Sequence, residues 1–364
     1  MSLLVLEKGI LTTVQDLGRN GFRRFGITPG GAMDSFAVRL INILLGNEEN
    51  EPVLEMHFPA PVFEFEQDTV FALGGANFSA HLNEVKLENW RIIRAKAGSR
   101  LSFLQRISGA RCYLAVCGGF QTEKWLGSAS TNLTIGFGKN LQKGDRIFFK
   151  NPKPPLSAFS SEKSASLKTS VSLQTSANLK TSATSKTFGN LESSEDSGTA
   201  DSLRFKISHR LIPRYSHFPT VRVIPGAEFD KLTAISVENF LKKSFKVSHL
   251  SDRMGFRLEG EPLYLIDESE RSFKASMVSS AVNFGTIQLL ADGQMVILMA
   301  DHQTSGGYPR IAHVVEVDLP LVAQLNPNDK LYFQMISREE AEELLSMRER
   351  DLKFLKWAVK LWRW

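Results

Sequence analysis

The feature that most constrains the fold is a succession of short β-rich runs between residues 53 and 149. Turn residues such as Gly74-Gly75 and Gly118-Gly119 separate these runs. Short strands at this spacing are typical of a barrel or a sandwich. We therefore predict strands at Val53–Met56, Val62–Phe65, Thr69–Leu73, Phe78–Leu82, Trp90–Ala95, Arg100–Phe103, Arg111–Cys117 and Arg146–Phe149.

A second β-rich region begins after residue 203, and a hairpin is its clearest element. The dipeptide Asp292-Gly293 favours a tight turn between the apolar runs 287–290 and 295–299. The second run, MVILM, is apolar at every position, which predicts a strand buried on both faces. Further strands are predicted at residues 220–224, 254–258, 314–317 and 331–336, and a pair of strands at residues 3–15 opens the chain.

Capping signals predict two of the helices. Asp34 or Ser35 begins a helix whose apolar residues recur at helical spacing until Gly46, a residue typical of a C-terminal cap. Ser337 and Glu340 form a capping box for a C-terminal helix over residues 337–364, which has an apolar stripe and a basic side. We expect the stripe to pack on the barrel or on a partner subunit. Contact of its tryptophans with a membrane surface is the alternative.

Residues 152–203 differ in composition from the rest of the chain. Ser, Thr, Lys and Ala dominate, and SASLKTS at 164–170 recurs as SANLKTS at 176–182. Such a segment buries too little apolar surface to offset the entropy lost on ordering. We therefore predict a disordered insertion between an N-terminal half, residues 1–151, and a C-terminal half, residues 204–336.

Composition and motif spacing argue against several classes of function. A net charge of +5 over 364 residues does not indicate nucleic-acid binding. No apolar run reaches the roughly 18 residues that span a bilayer, and residues 1–14 lack the features of a signal peptide, so we expect a soluble cytoplasmic protein. Cys112 and Cys117 should face opposite sides of one strand, which excludes a disulfide between them in that register. His302 has no second histidine at ligand spacing, so we expect no metal site.

Two polar, glycine-containing segments interrupt the β pattern. The first runs from Thr12 to Asp34, and the second reads DHQTSGGYPR at residues 301–310, directly after the buried strand. Gly306-Gly307 allows a positive φ and close approach of a ligand. Consecutive N–H groups in such a turn can bind a carboxylate or phosphate. We expect the two segments to share one cleft that binds an anion or an amide; the residue pattern does not indicate a reaction.

Several motifs in these segments resemble those of a known family. They are TTVQDLGR (12–19), GGAMD (30–34), LGN (45–47), YLAVCGG (113–119), RVIPG (222–226), SDRMGFRLEG (251–260), GTIQ (285–288) and DHQTSGGYP (301–309). They resemble the biotin-dependent carboxyltransferase-like group, which includes the C subunit of 5-oxoprolinase, the second subunit of allophanate-hydrolase-like pairs, the KipA regulator and the carboxyltransferase region of urea carboxylase. The resemblance covers about residues 1–150 and 204–336. One departure is Ala129, where the family often has arginine in a Ser-Arg-Ser-Thr sequence.

The resemblance implies a mainly β fold of two cyclophilin-like barrel halves with a few short helices. It implies the C subunit of an ATP-dependent 5-oxoprolinase. The implied partners are a KipI-like B protein, similar to allophanate hydrolase subunit 1, and a LamB/YcsF-like A protein. ATP would bind to this chain or to a partner, and biotin is not required on this chain, which lacks the carrier tetrapeptide. The alternatives are a non-catalytic KipA-like regulator that binds a KipI-like partner, and a biotin-dependent carboxyltransferase that acts on urea or a similar amide.

The expected substrate suggests roles for the residues in both segments. Arg253 and Arg310 would bind a carboxylate or phosphate, since a guanidinium binds oxyanions through two parallel N–H groups. The Gly306 and Gly307 amides would stabilise an oxyanion. The residues predicted to transfer protons are Asp16, Asp34 and Asp301. The remaining residues predicted to bind or orient the substrate are Gln15, Arg19, Gln303, Thr304, Ser305 and Tyr308.

Overall fold

The computed structural model describes residues 2–150, 202–266 and 277–363. Strands dominate these residues, so the predicted mainly β fold is confirmed. The predicted insertion lies outside the described residues except for its last two, which begin a strand.

The N-terminal half consists of two six-stranded sheets. Its strands are β1 (Ser2–Glu7), β2 (Thr12–Gln15), β3 (Val53–His57), β4 (Val62–Phe65), β5 (Thr69–Asn77), β6 (Ala80–Leu82), β7 (Val85–Lys86), β8 (Arg91–Ala95), β9 (Arg100–Phe103), β10 (Ser108–Val116), β11 (Arg146–Phe148) and β12 (Ser202–Lys206). The first sheet has the order β11-β1-β4-β9-β6-β7, and the second has the order β12-β8-β5-β10-β3-β2. Strand β12, which begins in the last two residues of the predicted insertion, therefore completes the second sheet of this half.

One apolar core contains residues of both sheets. Leu3 and Phe63 from the first sheet and Leu54 and Leu114 from the second belong to a single buried cluster. Because successive side chains of a strand point to opposite faces, Tyr113 points away from this cluster and packs in another one on the outer face of the second sheet. The second sheet is therefore covered on both faces.

The described C-terminal half has nine strands, and seven of them close into a barrel. Its strands are β13 (Thr220–Pro225), β14 (Phe245–Val247), β15 (Gly255–Glu259), β16 (Ser280–Ala281), β17 (Thr286–Leu289), β18 (Met295–Leu298), β19 (Ser305–Gly306), β20 (Arg310–Val314) and β21 (Lys330–Met335). The barrel order is β13-β20-β17-β18-β15-β14-β21, and β16 pairs with β19 in a separate two-stranded ribbon. Val223, Phe256, Ile287, Ile297 and Phe333 belong to the buried cluster of this half.

Four α-helices complete the described chain. They are α1 (Ser35–Leu44), α2 (Ala234–Lys242), α3 (Leu319–Ala323) and α4 (Arg338–Arg363). The predicted cap of α1 is confirmed, because the Asp34 carboxylate accepts a hydrogen bond from the Ala37 amide at 2.9 Å. Gly46, just after the helix, has a φ of 65°, as a C-terminal glycine cap requires.

The C-terminal helix α4 packs on the N-terminal half. Leu352, Leu355 and Val359 are buried in the cluster that also contains α1 and the outer face of the second sheet. The Arg39 guanidinium donates two hydrogen bonds to Glu349, at 2.6 and 2.7 Å. The predicted apolar stripe therefore docks within this chain. In the described residues, no helix is both long and apolar enough to cross a membrane.

Two predicted details are wrong, and each has a local cause. Gly74-Gly75 is not a turn, because β5 continues through it. Gly75, with a φ of 74°, lies where the β5–β10 register shifts, and a Cβ there would lie 2.4 Å from the Arg111 carbonyl oxygen. The predicted strand at 314–317 ends at Val314, and the chain then turns. The buried Asp318 carboxylate stabilises this turn by accepting hydrogen bonds from the Arg222 amide and guanidinium, the latter at 2.9 and 2.6 Å.

The two cysteines are buried on opposite faces of the second sheet, as predicted. Cys112 lies in the core between the sheets, whereas Cys117 packs with α1 on the outer face. In the described part of the chain neither forms a disulfide, and burial raises the pKa of Cys112.

Candidate active site between the two halves

The two polar segments meet where the halves join. The Arg253 guanidinium of the C-terminal half donates a hydrogen bond of 2.6 Å to the Gly31 carbonyl oxygen of the first segment. Arg23 donates to the Asn283 side chain and to the Val282 carbonyl. A Cβ added to Gly30 would lie 3.6 Å from the Asp301 carboxylate. Arg253 and Asp301 therefore lie against the first polar segment, at the joint between the halves.

Asp16 is buried and its carboxylate is fully hydrogen-bonded. It accepts from the Gly18 amide at 2.8 Å, the Ser128 and Ser130 hydroxyls at 2.6 Å each, and the Ala129 amide at 2.7 Å. These bonds fix the segment 128–130 against the first polar segment. Since its oxygens are already occupied, Asp16 is suited to positioning this segment rather than to the proton transfer that we predicted.

Arg253 is paired with carboxylates from both halves. Its guanidinium donates to the two oxygens of Asp301 at 2.8 and 3.1 Å and also contacts Glu55 of the N-terminal half. Burial alone would lower the pKa of Arg253, but these carboxylates outweigh burial and raise it. Glu55 and Asp301 thus occupy the guanidinium that we predicted would bind the substrate, so we reinterpret Arg253 and Asp301 as residues that join the halves.

Arg310 is likewise paired within the protein. It is the first residue of β20, and its guanidinium forms two contacts with Glu228, at 3.0 and 3.2 Å. The hydrogen bonds to Glu228 are the main reason that the pKa of Arg310 is raised. A substrate carboxylate would have to displace Glu228 to bind here.

A buried polar network lies under this joint and was not predicted. The Tyr113 hydroxyl donates to Glu55 at 2.8 Å and accepts from the Asp34 amide at 2.8 Å. The Asp34 carboxylate accepts from Tyr215 at 2.7 Å and from the Gln324 side chain at 3.0 Å. Burial raises the pKa of Asp34. Asp34 is therefore a helix cap and a member of this network.

Glu55 is the residue from which the sequence could have indicated this buried network. It is a carboxylate within the otherwise apolar run VLEM, and such a residue needs a buried cation or donor. The structure supplies Arg253, the Tyr113 hydroxyl and the Met33 amide at 2.9 Å. Burial favours the neutral acid, but Arg253 and Arg111 overcome this effect and lower the pKa of Glu55.

The segment 303–308 is tied to its neighbours by backbone pairing. Ser305 and Gly306 form β19, and neither Gly306 nor Gly307 uses the positive φ that glycine allows. Glycine is needed instead for close approach, because a Cβ at Gly306 would lie 2.6 Å from the Gln288 side chain. Gln303 donates to Gln288 at 3.3 Å. The Thr304 carbonyl accepts from the Val282 amide at 3.3 Å. Tyr308 is 44% exposed at the surface.

Gln15 and His302 are buried beside these segments. Gln15 donates to Thr13 at 3.0 Å and to the Thr131 carbonyl at 3.1 Å, which leaves its side-chain oxygen without a partner. The His302 ring contacts the Gln303 carbonyl at 2.5 Å, and burial lowers the pKa of His302. Within the described ranges, no group of three or more His, Cys, Asp or Glu side chains could hold a metal ion.

Arg19 differs from the other arginines of the site. It is 1% exposed, and its Nη2 donates to the Ser130 carbonyl oxygen. Its Nε and Nη1 have no hydrogen-bond partner. The guanidinium carbon lies 5.1 Å from the centre of the Trp125 ring and 5.0 Å from that of Phe137, at cation–π distance. Burial lowers the pKa of Arg19, although Asp16 and Asp301 act in the opposite direction.

Together these groups offer few free acids or bases, and several of their buried polar atoms have no partner. The three predicted aspartates are occupied by capping, ion pairing or hydrogen bonds to the segment 128–130. The buried side-chain atoms of the first segment that have no hydrogen-bond partner are Thr12 Oγ1, Gln15 Oε1, Arg19 Nε, Arg19 Nη1 and Arg23 Nε, and a ligand could satisfy some of them. The arrangement therefore favours binding over proton transfer.

One protein family and two known proteins match most of this chain. Residues 25–335 match the family described as carboxyltransferase domain, subdomain A and B. The 5-oxoprolinase C subunit of Escherichia coli (strain K12) is 32% identical over 362 residues, which cover 98% of this chain and 98% of that protein. The 5-oxoprolinase C subunit of Haemophilus influenzae is 31% identical over 95% of this chain and 94% of that protein.

A solved structure shares the fold over almost the whole chain. The crystal structure of the K. lactis urea amidolyase superposes with a TM-score of 0.78 at 26% identity and covers 97% of this chain. This chain spans 20% of the length of that protein.

Proposed function

This chain belongs to the family of carboxyltransferase domains that combine subdomains A and B, and from that premise we propose that it acts as the C subunit of an ATP-dependent 5-oxoprolinase. The complex would convert 5-oxoproline, ATP and water to glutamate, ADP and phosphate. The observation that carries the proposal is the match to a 5-oxoprolinase C subunit over 98% of both chains.

The role that we propose for this chain is to bind and orient the lactam. A lactam carbonyl is a poor electrophile, so the reaction needs ATP to activate it. In the described residues the site has unpaired donors on Arg19, while its predicted acids and bases are engaged within the protein. Phosphoryl and proton transfer would then depend on groups of the LamB/YcsF-like and KipI-like partners. Gln303, Thr304 and Tyr308 would orient the amide from the second segment.

ATP would be bound by one of these partners or shared with one, and the complex would work in the cytoplasm without biotin on this chain. The unpaired donors on Arg19 would suit a small ligand that carries acceptor oxygens.

Reconstitution with both partners tests the proposal. The LamB/YcsF-like and KipI-like proteins of the same organism would be purified and mixed with 5-oxoproline and ATP, with and without this chain, and glutamate release would be followed. We expect glutamate only when all three proteins and ATP are present. Equal rates with and without this chain would contradict an enzymatic role.

A second candidate is a carboxyltransferase for urea or a similar amide, with biotin carried by another chain. The fold match to urea amidolyase, at a TM-score of 0.78, favours it. The same reconstitution distinguishes the two, because this activity would need a biotinylated partner and would be inhibited by avidin. The 5-oxoprolinase reaction would be unaffected by avidin.

A further inference from the structure

The Arg19 guanidinium is the least satisfied buried cation in the described part of the chain. A guanidinium has five N–H hydrogens, and the one acceptor that contacts Arg19 is the Ser130 carbonyl oxygen. Two of its three nitrogens, Nε and Nη1, are buried without a partner. By contrast, the described hydrogen bonds of Arg253 and Arg310 include two or more to carboxylate oxygens.

The surroundings hold Arg19 in place without neutralising it directly. Trp125 and Phe137 lie near the guanidinium, and their ring centres are 6.0 Å apart. The two nearby carboxylates are engaged elsewhere: Asp16 accepts from the segment 128–130, and Asp301 is paired with Arg253. A buried charged donor that is left unsatisfied is costly, so this position favours a ligand that supplies acceptor oxygens.

We propose that Arg19 binds the carboxylate of the substrate and thereby selects carboxylate-bearing amides over neutral ones. The identity of the substrate in this assignment rests on the proposed function. The presence of an oxyanion site does not depend on it. A carboxylate matches the planar guanidinium because its two oxygens can accept parallel N–H groups. Of the three arginines predicted to contact the substrate, Arg19 is the one with two buried nitrogens that have no hydrogen-bond partner.

Binding measurements on the full chain test this role. Isothermal titration calorimetry would compare 5-oxoproline, 2-pyrrolidinone, which is the same lactam without the carboxylate, and acetate, which is a carboxylate without the lactam. Arg19→Gln should weaken 5-oxoproline binding by about tenfold or more, because a charge-assisted pair is lost. The same variant should leave 2-pyrrolidinone binding within about twofold of the wild type.

Two further variants separate a binding role from a structural one. Arg257→Gln changes an exposed arginine on β15 and should bind every ligand like the wild type. Arg19→Ala should regain 5-oxoproline binding when millimolar guanidinium ions are added, which a merely structural arginine would not allow. Circular dichroism would confirm that each variant is folded.

The result with acetate tests the oxyanion site separately from the proposed substrate. Binding of acetate but not of 5-oxoproline, with the acetate binding lost in Arg19→Gln, would support the oxyanion site and contradict the proposed substrate. Equal weakening of 5-oxoproline and 2-pyrrolidinone would assign Arg19 to the lactam carbonyl and overturn the proposal. Failure of the wild type to bind any carboxylate tested would also overturn it.

Discussion

At the scale of single residues, His57 should make the stability of the joint between the halves depend on pH. It borders a cavity of about 510 Å³ that is also lined by Phe58, Arg106, Ala110 and Asn326. Its Nε2 is buried without a partner. Burial, aided by the Arg111 charge, lowers the pKa of His57 to about 3. The imidazole is therefore neutral in the folded protein at pH values at which it is protonated in the unfolded chain.

The expected consequence is a loss of stability in acid. Because the folded pKa lies below the unfolded value of about 6.5, the stabilising contribution of neutral His57 is complete above that value and disappears as the pH falls towards 3. Between pH 7 and pH 4 it should remove about 3 kcal/mol of unfolding free energy. Urea denaturation at a series of pH values would measure this loss.

The matched variants are His57→Gln and His209→Gln, the second at an exposed histidine. His57→Gln should lose less stability than the wild type over the same pH range. His209→Gln should follow the wild-type curve. If both variants follow the wild type, His57 does not titrate as its surroundings predict.

At the scale of elements, the α4 helix has two faces that should respond very differently to truncation. Leu352 is 2% exposed and packs against α1 and the second sheet, whereas Phe354 on the other face is 57% exposed. Leu352→Ala should lower the free energy of unfolding by about 2–4 kcal/mol, because it removes buried methyl groups and leaves a cavity. Phe354→Ala should change it by less than about 0.5 kcal/mol.

Chemical denaturation of both variants would measure these differences. Equal effects would mean that α4 is not docked as described. The comparison is well controlled, since the two positions are two residues apart on the same helix and both are large apolar side chains.

Elements that depend on residues close in sequence could be predicted, whereas features that depend on distant residues could not. The α1 helix and its Asp34 cap, and the hairpin of β17 and β18, depend on neighbours close in sequence, so local patterns predicted them. The bulge at Gly75 depends on the Arg111 carbonyl of a different strand, so the glycine pair was misread as a turn. Local pattern also missed the Glu55–Arg253 pair, whose members are 198 residues apart. It indicated two polar segments that the structure brings into contact, but not which of their side chains are already paired.

At the scale of the whole molecule, buried charges couple the two halves. Glu55 is 1% exposed and depends on Arg253 of the other half. Removing one member of a buried pair leaves an uncompensated charge, so Arg253→Ala should cost about 3–5 kcal/mol. It should also weaken the coupling between the halves.

Two optical probes would detect that uncoupling. Every tryptophan of the chain lies outside residues 204–336, so tryptophan fluorescence does not report on the C-terminal barrel directly, whereas far-UV circular dichroism reports on both halves. The two unfolding curves should coincide for the wild type and for Arg257→Ala and should separate for Arg253→Ala. Coincident curves in Arg253→Ala would show that the pair does not couple the halves.

The path of the chain after residue 201 has a consequence for dividing this protein. The polypeptide that carries the barrel also supplies β12, which pairs with β8, and α4, which covers the outer face of the second sheet. If the gene were split between codons 151 and 201, the first product would lack the edge strand β12 and the covering helix α4. The second product would contain β12 and α4, but not the sheet on which they pack. Such products would need co-expression and mutual complementation, and neither could serve as a minimal fragment for crystallisation or engineering.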